Sequence, residues 1–248
     1  MQKTSANSDS LNSEQTACLE RKLAEFAAGI GHELNNPLAS IGGRVQLLMR
    51  TAANEQLRRD LADIYSEVKR AGDLIADIRL YACPPQPVWE SVNIAHVLQK
   101  TLDFYSPQCV GKNIHLKLEL PSGADNLTIE ADESQMHVLF SAIVRNAVEA
   151  LENDSREFEK NILVSATAQP ETVTVSVSDN GPGMTDVESE HAFDPYFSGR
   201  QANRGLGFGL CKAKKIVQMH GGTIAIESTL KTGTRVVVEL PIKKDAVK

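Results

Sequence analysis

The chain has 248 residues, of which 42% are hydrophobic and 23% are charged, and its formal net charge is −6 at pH 7. These fractions are typical of a globular protein, and the negative charge argues against a nucleic-acid partner because phosphate backbones bind basic surfaces. The sequence shows no apolar run of bilayer length, no signal-peptide pattern after Met1 and no metal-ligand spacing among its four cysteines, so we expect a reduced, cytoplasmic protein without a membrane segment.

The N-terminal third is predicted to be helical after a polar, flexible tail at residues 1–13. From residue 14 to 83 apolar residues recur at steps of three and four in two runs, separated by a polar break at 54–56, which predicts an antiparallel helical hairpin. Because one hairpin cannot cover its own apolar seam, we expect a homodimeric four-helix bundle. The apolar positions are Leu19, Leu23, Phe26, Ile30, Leu34, Leu38, Ile41, Val45 and Leu48, then Leu57, Leu61, Ile64, Val68, Ala71, Ile75, Ile78 and Ala82.

Prolines separate this hairpin from a region in which the apolar residues are spaced differently. Pro84, Pro85 and Pro87 predict a stiff linker over residues 84–91. In the remaining part, residues 92–245, a helix is predicted at 132–152 and strands are predicted at 114–120, 161–167, 172–179, 223–229 and 234–240. The whole chain is therefore predicted to be α+β, with the helical hairpin followed by a two-layer sandwich that has helices on one face of a mixed sheet.

His32 is the first candidate for chemistry, within Gly31–Pro37 on the first predicted helix. A neutral imidazole at the surface keeps a free ring nitrogen and can act as a nucleophile. Pro37 cannot donate a hydrogen bond to the carbonyl of Glu33, and a proline in a helix interior destabilises the helix by about 3 kcal/mol. Its position close to His32 therefore suggests a functional role for this part of the helix. Taken alone, His32 would be an ordinary surface histidine and Pro37 a tolerated kink, so it is the sequence context that favours a chemical role. We treat the other histidines as structural.

Asn146 borders the apolar face of the predicted helix at 132–152. Its side-chain oxygen suits Mg²⁺, a hard cation that a nucleotide would bring, although a backbone group or a water molecule could equally satisfy it. Asp179 ends a predicted strand and precedes Gly181 and Gly183. Its carboxylate could accept a hydrogen bond from the exocyclic amine of adenine, but the same residues are also common in simple turns.

A second glycine-rich segment carries Gly205, Gly207 and Gly209 and leads into a predicted helix. Glycines let the backbone approach a phosphate, and the helix N-terminus offers free N–H groups to it. The spacing fits neither the Lys-Ser/Thr phosphate loop nor the dinucleotide fingerprint. Arg200 and Arg204, just before it, could pair with the β- or γ-phosphate or remain solvated loop charges.

Taken together and in this order, these segments resemble the sensor histidine kinases of two-component systems. Residues 29–41 resemble the H box of that family, and residues 139–151 resemble its N box. Segments 179–184, 193–197 and 205–210 resemble the first glycine box, the F box and the second glycine box. The resemblance implies a dimerisation and phosphotransfer hairpin followed by a Bergerat-type ATP-binding domain, with residues 185–204 as a mobile lid over ATP.

The resemblance also implies a role for each matching residue. His32 would accept the γ-phosphoryl group of ATP and pass it to an aspartate on a response regulator receiver domain. Glu33 would take or orient the imidazole proton, and Asn36 would orient the water that hydrolyses the partner's phospho-aspartate. Asn146 would bind Mg²⁺ and Asp179 would read adenine. The pocket would be shaped by Gly181, Gly183, Gly205, Gly207 and Gly209.

Two positions depart from the family pattern. Ala142 stands where relatives often carry a second asparagine, which predicts weaker Mg²⁺ or ATP binding. Glu149 stands where many relatives have a basic or neutral residue, and Arg145 could neutralise it. The alternatives are a Bergerat-class ATPase that forms no phosphohistidine and a degenerate dimeric scaffold. An anti-sigma-type serine kinase fits less well because such proteins lack the hairpin.

Overall fold

The computed structural model describes residues 29, 31, 33–121, 127–195, 197 and 207–242. The chain divides into two compact units, Met1–Pro85 and Gln86–Lys248. The predicted tail at residues 1–13 and the stripe positions Leu19, Leu23, Phe26 and Ile30 lie outside the described residues. Within the described part of the chain, no helix has both the length and the apolar character that a bilayer crossing requires.

The first unit is a helical hairpin. Helix α1 covers residues 33–51 and runs through Pro37, and helix α2 is Glu55–Ala82. A side chain added at Gly42 would lie 3.4 Å from Val68 Cγ1, whereas one at Gly31 would lie 3.6 Å from Ile75 Cγ2. Earlier positions of α1 therefore face later positions of α2, which confirms the predicted antiparallel arrangement.

Local sequence explains both ends of α2. Asn54 is the N-cap, and its Oδ1 accepts a hydrogen bond of 2.7 Å from the backbone N–H of Leu57; such a cap stabilises a helix by about 1 kcal/mol. At the other end the N–H of Cys83 still donates to the carbonyl of Arg79, but Pro84 has no N–H with which to continue. Beside the interhelical turn, Val45, Ala52 and Leu61 form a small buried core.

The second unit is built on a five-stranded sheet. Its strands stand in the order β2-β4-β5-β7-β6, where only β2 and β4 are parallel, and a separate antiparallel pair is formed by β1 and β3. The elements are β1 (Glu90–Asn93), α3 (Ile94–Gly111), β2 (Ile114–Glu119), β3 (Thr128–Ala131), α4 (Glu133–Glu152), β4 (Lys160–Ala168), β5 (Thr172–Asp179), α5 (Asp186–His191), α6 (Gly209–Met219), β6 (Thr223–Thr229) and β7 (Gly233–Pro241).

One face of this sheet is covered by α3, α4 and α6, as the sequence predicts. Helix α4 packs between α3 and α6 and also against β5. On β5 the alternate residues Val173, Val175 and Val177 are almost completely buried, which is the period-two pattern of a strand with one face on a core. The helix α4 that carries Asn146 therefore lies in the middle of the helical layer.

The segment that enters the second unit is fixed by buried polar contacts. The N–H of Val88 donates to Asp132 Oδ2 over 2.9 Å, and the N–H of Asp132 donates to Nε2 of His220 over 3.2 Å. The ring of Trp89 packs against that of His220 at 5.1 Å between centroids. We refer to Val88, Trp89, Asp132 and His220 as the linker clamp. It starts inside the predicted linker of residues 84–91, and β1 begins at Glu90.

Candidate functional site

Several predicted site residues lie outside the described residues: His32, Arg200, Arg204 and Gly205. On the hairpin, Glu33 and Asn36 are exposed on α1. In the second unit, Asn146 lies on α4, Asp179 ends β5 and Gly209 begins α6.

The hairpin carries a groove on the side of α1 that holds Asn35, close to His32 in sequence. Its volume is about 420 Å³, and the hydroxyl of Tyr65 accepts a hydrogen bond of 2.7 Å from Gln46 Nε2 at its wall. Small residues create the space, since a side chain added at Gly43 or Gly72 would meet nothing within 4 Å. The groove is lined by Asn35, Leu38, Ala39, Gly42, Gly43, Gln46, Tyr65, Val68, Lys69 and Gly72.

In the second unit, Asn146 lies directly against the start of α6. A Cβ atom built on Gly209 would be 3.2 Å from Asn146 Oδ1 and 3.5 Å from Nδ2. That distance is shorter than an ordinary van der Waals contact, so glycine is what lets α6 approach the amide. An oxygen donor suited to Mg²⁺ is thereby placed beside the first turn of a helix.

The N-terminus of α6 is suited to an anion. Phe208 occupies the N-cap position and makes no side-chain capping hydrogen bond, so the N–H groups of the first turn are not capped by that side chain. Gly207 precedes it with φ at +70°, and a Cβ there would be 2.2 Å from the carbonyl oxygen of Phe197. Only glycine fits this conformation and this close approach. We refer to the start of α6 with Gly207 and Gly209, next to Asn146, as the phosphate cradle, because a helix N-terminus of this kind can bind phosphate oxygens.

Asp179 lies near the C-terminal end of α4, beyond Asn146. Its Oδ1 accepts a hydrogen bond of 2.9 Å from the N–H of Gly181, which turns the chain sharply away from the sheet. A Cβ on Gly181 would be 2.8 Å from that same oxygen and 3.3 Å from Cδ2 of Leu151. The turn therefore packs on the last part of α4. The start of α6 packs on the same helix at Asn146, about one helical turn earlier.

The described part of the predicted lid contains a short helix, α5. Thr185 and Glu188 form a reciprocal capping box at its start. At its end His191 Nδ1 lies 2.8 Å from Asp194 Oδ2, and this hydrogen bond raises the pKa of His191 above its usual value. The Lys214 ammonium of α6 lies 5.1 Å from the ring centroid of Phe193. The F box thus contacts the helix that begins at the phosphate cradle.

The two departures from the family pattern also have a structural setting. Ala142 is only 3% exposed within the core face of α4. Arg145 Nε lies 3.7 Å from Glu149 Oε1 one turn later, so the fold forms the ion pair that the sequence suggests. Such partly exposed pairs are worth little in stability, but this one gives the Glu149 carboxylate a neighbouring positive charge.

Two family models match the chain. Residues 22–86 match the His Kinase A (phospho-acceptor) domain, and residues 131–244 match the histidine kinase-, DNA gyrase B- and HSP90-like ATPase. The sporulation kinase E of Bacillus subtilis is 29% identical over 224 residues, which are 90% of this chain and 29% of that protein. The chain spans 29% to 50% of the length of the curated relatives it matches.

Solved structures show the same fold. The full-length ShkA structure in complex with AMPPNP has a TM-score of 0.75 at 23% identity, covering 90% of this chain and 47% of that one. The histidine kinase ThkA in complex with the response regulator protein TrrA has a TM-score of 0.65 at 23% identity, covering 94% of this chain and 67% of that one. One family model matches the helical hairpin and the other matches the α/β sandwich that follows it. The chain therefore belongs to the sensor histidine kinases.

Proposed function

We propose that this chain is an ATP-dependent protein-histidine kinase that phosphorylates its own His32 and passes the phosphoryl group to an aspartate of a response regulator. The observation that carries the proposal is the placement of Asn146 against the N-terminus of α6, with the turn after Asp179 packed on α4 about one helical turn later. One end of this arrangement suits a metal-bound phosphate chain, and the other suits a base with an exocyclic amine.

The residues present fit ATP with Mg²⁺. Asn146 supplies an oxygen ligand for the metal, which neutralises phosphate charge when bound. Gly207 and Gly209 keep the cradle open, and Arg200 and Arg204 with Gly205 would complete the phosphate contacts. Asp179 would accept from the adenine amine, with Gly181 and Gly183 shaping the turn. The ShkA structure contains AMPPNP, an ATP analogue, which supports ATP as the ligand. We place the reaction in the cytoplasm, where ATP is supplied.

In the proposed transfer, a ring nitrogen of His32 forms a bond to the γ-phosphorus as the bond to the ADP oxygen breaks. Glu33, the next residue on α1, takes or orients the proton on the other ring nitrogen, which keeps the attacking nitrogen's lone pair free. The protein contributes chiefly position and charge neutralisation, as in other phosphoryl transfers.

The proposed partner is a receiver domain, and the hairpin groove is where we expect it to dock. The groove opens beside Asn35 and is deepened by Gly43 and Gly72, so a partner helix can approach the backbone closely. The ThkA structure, which contains the response regulator protein TrrA, supports a partner of this class. Asn36 is exposed on the same helix and would orient the water that hydrolyses the partner's phospho-aspartate to aspartate and inorganic phosphate.

The proposed active form is a homodimer. Leu34, Ile41 and Leu48 recur every seven residues on α1 and are 46%, 45% and 54% exposed. Leu57 and Ile64 continue the pattern on α2 with 43% and 48% exposure. An apolar heptad stripe left open in one hairpin is what a second copy would bury in a four-helix bundle.

The decisive experiment is autophosphorylation with γ-labelled ATP and Mg²⁺. We expect the wild type to acquire an acid-labile, base-stable label, and we expect His32→Gln and Asn146→Ala to acquire none. His96→Gln, which changes an exposed histidine on α3, is the matched control and should label normally.

Three results would contradict the proposal. Label retained in His32→Gln would show that another residue is the acceptor. Steady ATP hydrolysis without any phosphoprotein would indicate a Bergerat-class ATPase. A chain that neither binds nor turns over ATP would indicate a dimeric scaffold.

A further inference from the structure

The turn that carries Asp179 is enclosed by a hairpin that the sequence motifs do not include. The connection between β6 and β7, Leu230–Thr232, reaches over the turn, where the N–H of Lys231 donates to the carbonyl of Pro182 over 2.6 Å. At the far end of the turn the N–H of Met184 donates to Oγ of Ser228 over 2.9 Å. The turn is therefore attached to the β6–β7 hairpin by two hydrogen bonds.

Ser228 is the point where these elements meet. Its hydroxyl donates to the carbonyl of Gly233 over 3.1 Å, and its Oγ lies 2.9 Å from Oγ1 of Thr234. A serine hydroxyl has one proton and two lone pairs. Ser228 can therefore accept from Met184 and from Thr234 while it donates to Gly233, which uses its full hydrogen-bonding capacity. Thr234 in turn pairs in the sheet with Asp179.

Backbone packing leaves the turn little freedom. A Cβ on Gly233, whose φ is +133°, would be 2.0 Å from the carbonyl oxygen of Asp179. A Cβ on Gly183, whose φ is +66°, would be 2.0 Å from the carbonyl oxygen of Thr229. Both ends of the turn are thus in direct backbone contact with the β6–β7 hairpin, and the Ser228 hydroxyl lies between these two contacts.

We infer that Ser228 is a positioning residue for base recognition: it fixes the turn 180–184 so that the Asp179 carboxylate selects a 6-amino purine nucleotide. The inference rests on the proposed function, because it concerns the site that would read adenine. Ser228 does not touch the base itself and acts through the turn. Without the Ser228 hydroxyl, the N–H of Met184 loses its hydrogen-bond acceptor. The turn can then shift, so that the Asp179 carboxylate no longer meets the exocyclic amine of the base.

The test uses the full chain and compares equilibrium binding of ATP with that of ITP, whose 6-oxo group cannot donate to a carboxylate. We expect Ser228→Ala to bind ATP roughly fivefold to tenfold more weakly, the effect of losing about one hydrogen bond, while ITP binding stays near its wild-type value. Ser228→Thr keeps the hydroxyl and should retain the wild-type preference for ATP over ITP. Ser165→Ala, which breaks a 2.9 Å hydroxyl pair with Ser176 elsewhere in the sheet, should leave both affinities unchanged.

A double-mutant cycle separates positioning from general destabilisation. If Ser228 acts through Asp179, then Ser228→Ala should have little further effect on ATP binding in an Asp179→Asn background. Additive effects in that background, equal losses for ATP and ITP, or an unchanged ATP affinity in Ser228→Ala would each overturn the inference while the proposed kinase stands. A wild-type chain that binds neither nucleotide would remove the proposed function and this inference together.

Discussion

At the residue scale, His220 shows how one side chain can tie distant segments together. Its Nε2 accepts from the N–H of Asp132, and its Nδ1 donates to the carbonyl of Ile216 over 2.9 Å. The contact with Asp132 requires the neutral ring, because a protonated Nε2 carries a hydrogen and cannot accept. Burial accordingly lowers the pKa of His220 below its usual value, and the effect outweighs the opposing influences of the Ile216 carbonyl and the Asp132 charge.

The lowered pKa predicts acid sensitivity. The unfolded chain takes up a proton at about pH 6.5 and the folded chain only at lower pH. The contribution of His220 to stability is therefore complete above that value and is lost as pH falls through the folded pKa. We expect the free energy of unfolding to fall between pH 7.5 and pH 5.5, and to fall less in His220→Gln. Fluorescence of Trp89, the single tryptophan, reports the transition because its ring packs on His220.

His191 supplies a control of opposite sign. Its pKa is raised by its hydrogen bond to Asp194, so its contribution is complete at low pH and is lost as pH rises through the folded pKa. Replacing it with glutamine should increase the loss of stability on acidification. An identical pH dependence in the wild type and His220→Gln would contradict the assignment of the neutral ring.

Which residues could be predicted at this scale depends on sequence distance. Asn146 and Asp179 stand inside local motifs, and the fold places both along α4, although their roles stay predictions. Ser228 and the linker clamp were not predicted as functional positions, because their partners lie far away in sequence: Met184 is 44 residues from Ser228, and Asp132 is 88 residues from His220. A single serine or histidine carries no local pattern that would reveal such a contact.

At the scale of elements, the start of α6 packs closely against α4, and this close packing depends on the absence of a side chain at Gly209. In Gly209→Ala the new methyl group would sit 3.2 Å from Asn146 Oδ1 and would displace the amide or the helix. We expect Mg²⁺-dependent ATP binding to weaken by roughly tenfold, about the effect of a 1.4 kcal/mol loss, measured by calorimetric titration with and without Mg²⁺.

Gly111→Ala is the matched control for that change. It lies at the end of α3, and an added Cβ would meet nothing within 4 Å. It should leave nucleotide affinity unchanged and should not reduce stability, since alanine favours a helix over glycine by about 1 kcal/mol in its interior. Equal affinities in Gly209→Ala and Gly111→Ala would mean that the Asn146 amide takes no part in metal or nucleotide binding.

Elements with a long, uninterrupted apolar period were predictable, whereas short elements and a helix that contains a proline were not. Helix α4 and strands β4, β5, β6 and β7 lie within a residue or two of their predicted ranges, because each repeats its apolar period several times. The strands β1 and β3 have four residues each, which is too few to show a period. Helix α3 was not predicted either; it contains Pro107, a residue that normally argues against a helix interior.

At the scale of the whole molecule, the open heptad stripe of the hairpin predicts the oligomeric state. A carboxylate at Ile41 would face the apolar seam of a second copy and would have to be buried without a partner. We expect Ile41→Glu to sediment as a monomer at concentrations where the wild type is a dimer, and to lose autophosphorylation if the two copies act on one another.

Leu47→Glu is the control for the dimer. Leu47 is 64% exposed and lies off the heptad positions, so a charge there should leave the dimer intact. Monomeric wild type in sedimentation velocity experiments, or equal dissociation of the two variants, would exclude a seam at Ile41.

The linker clamp also sets the length of the tether between the two units. Helix α2 is capped at Cys83, and the first clamped residue is Val88, so only the four residues Pro84–Pro87 are left between them, three of which are proline. Fully extended, the five peptide links from Cys83 to Val88 reach roughly 18 Å. A linker of this length gives each unit a local concentration of roughly millimolar with respect to the other unit of the same chain. If His32 accepts from the nucleotide unit of its own chain, we therefore expect the rate of phosphoryl transfer to be unchanged on dilution.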